Sequence, residues 1–309
     1  MAKLKILLTG GNGMVGRNLQ DHVAAQNYDL LAPTRADLDL MNSDATAAYI
    51  TQSAPDLIIH AAGKVGGIQA NIAAPVDFLD INSMIGRNVI MGAKAAGTPR
   101  LINLASSCMY PALGKNPLQE DSILTGALEP TNEGYALAKI LAMRLCDYIS
   151  RNSEFSYKTL IPCNLYGPYD TFTPGASHLL PAVIAKVHAA KRDSDPSVEI
   201  WGDGTARREF MYAGDAADGI WHAVKNFDTL PNVMNLGLGQ DHAVNDYYVA
   251  AARALNWQGT FTHDLTKPVG IKQKLVDISR QTAWGWSPRT TLADGIRRTA
   301  DYYLERILP

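Results

Sequence analysis

Short runs of apolar residues alternate with amphipathic stretches through the first half of this chain. The runs "LKILLTG", "YDLLAPT", "PDLIIHAA", "PRLINLASS" and "YKTLIPCNLYG" have the composition of strands, and helical patterns separate them. Runs that are apolar at every position predict strands buried on both faces, as in a parallel sheet. Because these strands alternate with helices, the sequence predicts an α/β fold with a Rossmann-type, doubly wound parallel sheet.

The helical patterns set the expected domain organisation. In the first half they run from Met14 to about Gln26, from Ser43 onward, from about Asn82 to Ala96 and from Tyr135 to Tyr148. Beyond Pro168, short strands such as "SVEIWGDG" and "VMNLGLG" mix with helices near Ala213 to Val224, Val244 to Ala254 and Leu292 to Leu304. We predict a Rossmann domain over residues 1–168, to which a segment at roughly 205–240 returns, and a smaller, partly interleaved, mixed α/β C-terminal part over 169–309.

Composition and charge argue against several kinds of partner. The net charge is −2 and no basic run could follow a phosphate backbone, so nucleic-acid binding is not expected. No apolar stretch reaches membrane-spanning length, and the N-terminus lacks the pattern of a signal peptide. Cys108, Cys146 and Cys163 are odd in number and widely spaced. This spacing argues against a disulfide framework or a metal site and indicates a reducing, cytoplasmic environment.

The glycine-rich segment "LLTGGNGMVGRNL" lies between the first predicted strand and the first helix. Small residues there let the backbone turn tightly and approach a pyrophosphate at the helix N-terminus, where free N–H groups and the helix dipole favour anions. We therefore predict dinucleotide binding by Gly10, Gly11, Asn12, Gly13, Met14, Val15 and Gly16.

The end of the second strand bears on which dinucleotide binds. An acidic residue would hold the 2′-hydroxyl of NAD, but "LLAPTR" is neutral and ends in Arg35, which favours the 2′-phosphate of NADP. A solvated surface arginine is the alternative interpretation. Asp39, Leu40, Ala61 and Ala62 are also predicted at the cofactor.

Tyr135 and Lys139 are four residues apart in "NEGYALAKILAMRLC" and so lie on one helix face. A free phenol, with a pKa of about 10, is a poor proton donor or acceptor at neutral pH, but an ammonium group and a cationic nicotinamide would favour the phenolate. Ser106, at the end of the preceding strand, could hydrogen-bond a substrate carbonyl oxygen. Together the three residues predict a hydride-transfer site for a ketone or alcohol; a Tyr-x-x-x-Lys pair on its own usually reflects surface packing.

Cys108 follows Ser106 by two residues, and carbonyl reduction does not require it. A thiol facing the same substrate suggests a second reaction, removal of a proton from a carbon next to the carbonyl group. Inversion of such a carbon needs a base on one face and an acid on the other, and His178 in "TPGASHLLPA" is the candidate partner. The alternatives are that Cys108 is a small buried apolar residue and that His178 is a solvated loop residue.

The motifs "TGGNGMVG", "AAGKVGGIQAN", "SSCMYP", "EPTNEGYALAK", "NLYGPYD" and "REFMYAGD" occur in this order. Over essentially the whole chain they resemble the GDP-L-fucose synthase family, NADP-dependent 3,5-epimerase/4-reductases of the extended short-chain dehydrogenase/reductases. The resemblance implies that GDP-4-keto-6-deoxy-D-mannose is epimerised at C3 and C5 and then reduced at C4 by NADPH. It also implies that the first domain binds NADP and the second mainly the GDP-sugar.

The same resemblance assigns individual residues. It makes Ser106, Tyr135 and Lys139 the reductive triad and Cys108 with His178 the acid/base pair of epimerisation. It assigns to the cofactor the residues Leu104, Ala105, Ser106, Ser107, Tyr135, Lys139, Pro162, Cys163, Asn164, Leu165 and His178. It assigns to the GDP-sugar the residues Ser107, Cys108, Lys186, Trp201, Arg208 and Lys267. Simpler interpretations are a core aromatic residue for Trp201 and solvated charges for Lys186 and Arg208.

Two departures from the family pattern affect specificity. Gly11 and Asn12 stand where the family often has His-Arg, which removes one cation expected near the 2′-phosphate of NADP. "KPVG", at residues 267–270, places Val269 where the family has a carboxylate associated with substrate. The same chemistry on a related GDP-4-keto sugar, such as a 3,6-dideoxy hexose or a 6-deoxy-heptose, therefore remains open.

Three further expectations concern alternative functions and assembly. A 4-epimerase or 4,6-dehydratase is disfavoured, because dehydratases of similar sequence have Thr-Asp-Glu where this chain has Ser106, Ser107 and Cys108. A non-catalytic NADP-binding sensor is also disfavoured, since such proteins typically lose the tyrosine or the lysine. The resemblance implies a homodimer through the helices that follow Asn82 and carry Tyr135, although their apolar positions could equally belong to the core.

Overall fold

The structure is a computed structural model, and it describes residues 3–173, 177–267 and 270–308. In chain order its strands are β1 (Lys5–Thr9), β2 (Asp29–Leu31), β3 (Leu57–His60), β4 (Arg100–Leu104), β5 (Ser156–Pro162), β6 (Asn164–Tyr166), β7 (Ser197–Trp201), β8 (Arg207–Arg208), β9 (Phe210–Tyr212), β10 (Val233–Leu236), β11 (His242–Ala243), β12 (Thr260–Asp264) and β13 (Gln273–Lys274). Its α-helices are α1 (Met14–Asp21), α2 (Ser43–Ser53), α3 (Ile68–Ala73), α4 (Pro75–Ala95), α5 (Glu133–Arg151), α6 (Leu179–Asp193), α7 (Ala213–Lys225), α8 (Val244–Ala254), α9 (Ser279–Trp284) and α10 (Leu292–Arg306).

Six parallel strands form the main sheet, in the order β10-β5-β4-β3-β1-β2. Its central strands are buried on both faces, as their continuous apolar sequences predict. The order reverses direction about β1, so the carboxyl ends of β1 and β4 open onto one edge of the sheet. The prediction of a Rossmann-type, doubly wound α/β fold is confirmed.

The later part of the chain packs around a separate apolar cluster. Helices α6, α8 and α10 contribute buried side chains to it, together with β7 and the ring of Phe210. Helix α7 instead packs on α1, where the Trp221 indole nitrogen donates to the Leu19 carbonyl oxygen at 3.0 Å. Strand β10, which follows α7, lies in the main sheet. Within the described residues, no helix is both long and apolar enough to cross a lipid bilayer.

Several predicted boundaries were wrong. The first helix ends at Asp21, and a 3₁₀ turn covers the rest of the pattern to Asn27. Helix α4 begins at Pro75 rather than near Asn82, because its first turns carry exposed apolar residues that give no core-facing periodicity. "YKTLIPCNLYG" forms two strands in different sheets, with β5 ending at Pro162, which has no N–H group to donate.

Glu209 of the "REFMYAGD" motif connects distant segments of the chain. One of its carboxylate oxygens accepts hydrogen bonds from the backbone N–H groups of Leu238 and Gly239, at 2.7 and 2.9 Å. The other accepts from the N–H group of Val276 at 2.8 Å. The side chain is almost completely buried, and burial raises the pKa of its carboxyl group to about 7. Glu209 therefore accepts one buried and two partly buried backbone hydrogen bonds from two separate segments.

We expect Glu209→Ala to lower the free energy of unfolding by roughly 2 kcal/mol or more, because one buried and two partly buried N–H groups lose their acceptor. Glu209→Gln keeps one oxygen acceptor and should lose less. Urea unfolding of the protein without ligands measures both, with Glu305→Ala on the exposed face of α10 as the control. Equal unfolding midpoints for Glu209→Ala and Glu305→Ala would show that these contacts contribute nothing.

Candidate active site

The glycine-rich loop joins β1 to the N-terminus of α1. Gly10 has a φ of +77°, which favours glycine, and a Cβ atom there would lie 2.6 Å from the Ala62 nitrogen. A Cβ on Gly16 would lie 2.2 Å from the Gly10 carbonyl oxygen. At Gly13 the nearest atom to such a Cβ is 3.4 Å away, and no side chain caps α1. The loop thus leaves its helix N-terminus free for an anionic pyrophosphate, and this geometry fits a dinucleotide.

The carboxyl end of β2 lies beside the glycine loop. A Cβ on Gly11 would come within 3.0 Å of the Ala32 Cβ. A turn follows in which the Thr34 N–H and hydroxyl groups both donate to the Asp37 carboxylate, at 2.9 and 2.7 Å. Arg35 is exposed on this turn. The position fits a contact with the adenosine end of a dinucleotide, and the role of Arg35 stays a prediction.

Asp39 and Leu40 lie further along the same connection. Asp39 is exposed, and its carboxylate accepts from the Met41 N–H group at 3.1 Å. The Leu40 carbonyl oxygen accepts from the Asn88 side chain of α4 at 3.0 Å. On the other side of the loop, Ala61 and Ala62 follow β3 and pack against Gly10. The segments predicted at the cofactor therefore border one another.

Ser106, Tyr135 and Lys139 lie together where β4 ends against α5. The Lys139 Nζ donates to the Leu104 carbonyl oxygen at 3.0 Å and lies 5.7 Å from the centroid of the Tyr135 ring. Ser106 lies close enough to the Tyr135 phenol to affect its pKa. Phe78 of α4 packs edge-on against Tyr135, with ring centroids 6.3 Å apart. The sequence prediction that these three groups form one cluster therefore agrees with the geometry.

Burial controls the protonation of this cluster. It lowers the pKa of the Lys139 ammonium to about 8 and raises the pKa of the Tyr135 phenol, a rise that the nearby Ser106 side chain opposes. In the protein without cofactor, desolvation of the charged form thus favours the neutral phenol, and the expectation that a cationic nicotinamide and the ammonium favour the phenolate stays a prediction. A protonated phenol is the form that can donate a proton to a carbonyl oxygen during reduction.

Cys108 lies in a single 3₁₀ turn, Ser107–Met109, directly after Ser106. Its N–H group donates to the Ser106 hydroxyl oxygen at 3.3 Å, and its sulfur accepts from the Asn132 Nδ2 at 3.6 Å. The Cys108 side chain is half-buried, whereas Cys146 and Cys163 are buried. Its charge would act on both Tyr135 and Lys139. Cys108 is therefore part of the reductive cluster and is not simply a core residue.

His178 is the last residue before α6 and is half-buried. Burial lowers the pKa of its imidazole, so the ring is neutral at pH 7 in the protein without ligand. Among the described residues, no hydrogen bond joins its side chain to Cys108. The residues immediately before Ser177 lie outside the described part of the chain. The pairing of His178 with Cys108 accordingly stays a prediction.

Trp201 is the last residue of β7, and the ammonium groups of two lysines lie near its ring. The Lys186 Nζ lies 5.8 Å and the Lys267 Nζ 5.7 Å from the ring centroid. The Lys186 ammonium also donates to the Glu199 carbonyl oxygen at 2.8 Å. Trp201 is 45% exposed, so it is not a core aromatic residue. An aromatic face between two cations fits the base and diphosphate of a nucleotide.

Arg208 lies in β8, where burial lowers the pKa of its guanidinium and the nearby Glu129 carboxylate partly opposes this lowering. A Cβ on Gly270 would lie 3.3 Å from an Arg208 nitrogen. Beside them is a cavity of about 740 Å³, lined in part by Glu129, Arg207 and Gly270. Val269, the position of the departure from the family carboxylate, lies outside the described residues.

The segment after β5 was also assigned to the cofactor. Pro162 ends β5, and the Cys163 N–H group donates to the Leu236 carbonyl oxygen of β10 at 3.0 Å. The Asn164 amide donates to the Glu209 carbonyl oxygen at 2.9 Å, and Leu165 continues into β6. Burial raises the pKa of the Cys163 thiol. This segment is thus fixed at the same edge of the sheet as the glycine loop.

Two asparagines near the cluster were not predicted from the sequence. The Asn82 amide of α4 binds both backbone polar groups of Lys64, at 2.8 and 3.1 Å, and so holds the "AAGKVGG" loop. Asn132 contacts the Cys108 sulfur from the residue before α5. The one available signal for Asn132 was its place three residues before Tyr135, and nothing in the local pattern marked Asn82.

Comparison with known proteins agrees with this geometry. A sequence model described as the NAD dependent epimerase/dehydratase family matches residues 6–237. The chain is 51% identical over 300 residues to the GDP-L-fucose synthase of Azorhizobium caulinodans, covering 97% of this chain and 96% of that protein. It is 50% identical to the GDP-L-colitose synthase of Yersinia pseudotuberculosis, covering 97% and 98%. A solved GDP-mannoheptose C4 reductase from Campylobacter jejuni with NADP bound superposes with a TM-score of 0.89 at 28% identity, covering 98% and 99%.

A glycine loop at the head of a parallel sheet, next to a buried Ser–Tyr–Lys cluster, defines a dinucleotide-dependent oxidoreductase of the extended short-chain dehydrogenase/reductase class. Within that class, the chain belongs to the NAD dependent epimerase/dehydratase family.

We expect Lys139→Met to lower the rate of NADPH oxidation with a 4-keto sugar nucleotide by roughly 10²–10³-fold. The lysine is protonated below its pKa of about 8 and loses its charge above it, so wild-type kcat/KM should fall above about pH 8. The variant should lack this fall. Lys158→Met, which removes another buried lysine from β5, is the control and should retain it. An identical basic limb in Lys139→Met would assign the titration to another group.

Proposed function

We propose that this protein converts GDP-4-keto-6-deoxy-D-mannose to GDP-L-fucose by 3,5-epimerisation followed by NADPH-dependent reduction of the C4 carbonyl group. The observation that carries the proposal is the half-buried Cys108 thiol next to Ser106, Tyr135 and Lys139. Reduction alone gives a thiol no task there, whereas epimerisation requires a proton-transfer group. The 51% identical relative from Azorhizobium caulinodans, a GDP-L-fucose synthase, supports the same reaction.

NADP(H) is the cofactor, and the N-terminal part of the chain fits it. Residues 10–16 would hold the pyrophosphate at the α1 N-terminus, and Arg35 would face the 2′-phosphate. Segments 61–62, 104–107 and 162–165 would border the nicotinamide half, together with Tyr135, Lys139 and His178. When bound, NADPH supplies the hydride that reduces the C4 carbonyl. We infer that residues 1–168, with a segment at roughly 205–240, form this cofactor-binding domain.

The GDP-sugar would bind across residues 169–309. Trp201 offers a ring face to the guanine, and the Lys186 and Lys267 ammonium groups beside it offer positive charge to the diphosphate. Arg208, next to the cavity, adds a planar guanidinium that suits a diphosphate. Ser107 and Cys108 would face the sugar from the end of β4.

Epimerisation would use the acidity that the C4 carbonyl gives to the hydrogens on C3 and C5. A base takes one of these protons, and the electron pair of the C–H bond moves into an enolate whose oxygen Ser106 and Tyr135 hydrogen-bond. A protonated group on the opposite face then returns a proton to the carbon. Cys108 and His178 would be this pair. Afterwards Tyr135 would donate its phenolic proton to the C4 oxygen during reduction.

A second candidate is the same chemistry on a related GDP-4-keto sugar. The relative from Yersinia pseudotuberculosis, 50% identical, is a GDP-L-colitose synthase, and the superposed reductase acts on a GDP-mannoheptose. Turnover of the 4-keto-6-deoxy, 4-keto-3,6-dideoxy and 4-keto-heptose derivatives, measured side by side, separates these substrates. Preference for the 4-keto-6-deoxymannose derivative supports the first candidate.

The three free cysteines and the use of NADPH fit a reducing compartment, and we infer a cytoplasmic location.

A homodimer is proposed through α4 and α5. These helices pack closely, since a Cβ on Gly86 would lie 3.3 Å from the Ala142 Cβ. On their outer face Val76 is 74% exposed, Leu141 is 41% exposed and Tyr148 is 56% exposed. Leu137 and Leu79 are also exposed there. An exposed apolar face of this kind is typical of a protein interface, and a second copy would bury it in a four-helix arrangement.

We expect Leu141→Glu to convert a dimer into a monomer, because a carboxylate would be buried at the centre of the proposed interface. Light scattering coupled to size-exclusion chromatography gives the mass of each variant. Leu304→Glu on α10 is the matched control and should stay dimeric. A wild-type protein that is monomeric at tens of micromolar, or a dimeric Leu141→Glu variant, would contradict this interface.

We expect wild-type protein to incorporate deuterium from D₂O at C3 and C5 of GDP-4-keto-6-deoxymannose in the presence of NADP⁺, and to oxidise NADPH with the same substrate. In Cys108→Ser the exchange should slow by roughly 10²-fold or more, because a hydroxyl is a far weaker acid than a thiol. Cys146→Ser, a buried cysteine of α5, is the control and should exchange normally. No NADPH oxidation by the wild type defeats the proposed function, and normal exchange by Cys108→Ser removes the thiol from it.

A further inference from the structure

Asn132 occupies the position that begins α5 but does not cap the helix. Asparagine at this position usually accepts a hydrogen bond from a first-turn N–H group, which stabilises the helix by about 1 kcal/mol. Here no such bond forms, and the Asn132 Oδ1 is buried without a hydrogen-bond partner among the described residues. The amide nitrogen instead lies 3.6 Å from the Cys108 Sγ and 3.4 Å from the Glu129 Oε2. The Asn132 side chain therefore contacts Cys108 and Glu129 instead of capping α5.

Glu129 fixes which way this amide faces. A carboxylate only accepts hydrogen bonds, so the Asn132 nitrogen, not the oxygen, must point toward it. Glu129 is itself held by the Thr131 hydroxyl at 2.9 Å and faces Arg208. With one amide hydrogen on Glu129, the other is available to the Cys108 sulfur. The sulfur is therefore an acceptor in this arrangement, and an acceptor hydrogen bond stabilises a thiolate more than a thiol.

Two further groups, the Lys139 ammonium and the Ser106 hydroxyl, lie near Cys108. The Lys139 ammonium is buried within electrostatic reach of Cys108, and the two groups stabilise each other's charged forms. The Cys108 N–H group is directed to Ser106, so the backbone holds the thiol in place. The Asn132 amide donor and the buried Lys139 ammonium are therefore both neighbours of the Cys108 sulfur.

We propose that Asn132 is a positioning residue that donates a hydrogen bond to Cys108, holds it as the thiolate and so makes it the base of epimerisation. This inference rests on the proposed function for the identity of the reaction. In that reaction the thiolate takes the C3 or C5 proton and becomes a thiol, while the C–H electron pair forms the enolate. His178, protonated in the complex, returns a proton to the opposite face and becomes neutral. The anionic substrate would raise the imidazole pKa against the lowering caused by burial.

Alkylation of Cys108 by iodoacetamide as a function of pH tests the inference without any substrate. The thiolate is the reacting form, and mass spectrometry of the Cys108 peptide separates it from Cys146 and Cys163. In Asn132→Leu the apparent pKa of Cys108 should rise by about one to two pH units, because a hydrogen bond to a charged group is lost. Deuterium exchange at C3 and C5 at pH 7 should slow by roughly 10-fold or more.

Two further variants make the outcome decisive. Asn132→Ala cannot overfill the site and should show the same rise in the Cys108 pKa if Asn132→Leu does not fold. Asn226→Leu removes a half-buried amide hydrogen bond at the end of α7 and should leave the Cys108 profile unchanged. An unchanged alkylation profile in a folded Asn132 variant overturns the inference, even if activity falls.

This result is separable from failure of the proposed function. If Cys108→Ser exchanges deuterium normally, the thiol is not the base and that function fails in its epimerase part. The alkylation profile of the Asn132 variants still decides whether the amide controls ionisation of the thiol.

Discussion

A single buried hydrogen bond, from the Lys139 ammonium to the Leu104 carbonyl oxygen, determines how the two halves of the active cluster meet. Leu104 is the last residue of β4, and Lys139 lies in the second turn of α5. Ser106 and Cys108 follow Leu104 closely in the chain, and Tyr135 lies one helical turn before Lys139. The contact fixes the distance between strand end and helix, so every later feature of the site depends on it. The hydrogen bond requires an ammonium group to be buried, which is unfavourable for the charged form. Burial therefore lowers the pKa of Lys139.

Close packing of α4 against α5 supports this contact. Gly86 and Ala142 allow the two helices to approach, and Gly134 brings α5 against the Leu79 side chain of α4. The approach also places Phe78 on Tyr135 and Asn82 on the loop that contains Gly63 and Lys64. Small residues in the helix interface are thus as necessary to the catalytic geometry as the reactive groups. The exposed outer faces of the same helices are where a second copy is proposed to bind.

The sequence predicted the architecture well because its signals are local. The central strands carry continuous runs of mainly apolar residues, and the glycine loop brings backbone close to backbone at Gly10 and Gly16. Ser106, Cys108, Tyr135 and Lys139 could be grouped because they follow a predicted strand or share one helix face. The burial that raises the pKa of the Tyr135 phenol could not be predicted in the same way, since burial depends on neighbours far away in the chain. Asn132 was missed for a related reason. Its sequence context is that of a helix cap, and its amide contacts Cys108 and Glu129 only because the fold brings them together.

The central claim is that one site combines carbonyl reduction with inversion of the neighbouring carbons. A crystal structure with NADP⁺ and GDP-4-keto-6-deoxymannose tests it most directly. We expect the Tyr135 hydroxyl within hydrogen-bond distance of the C4 oxygen. We also expect the Cys108 sulfur and a His178 nitrogen within about 3.5 Å of C3 or C5, on opposite faces of the ring. A sugar ring bound with both groups on one face, or with the sulfur turned away from it, would rule out inversion at this site.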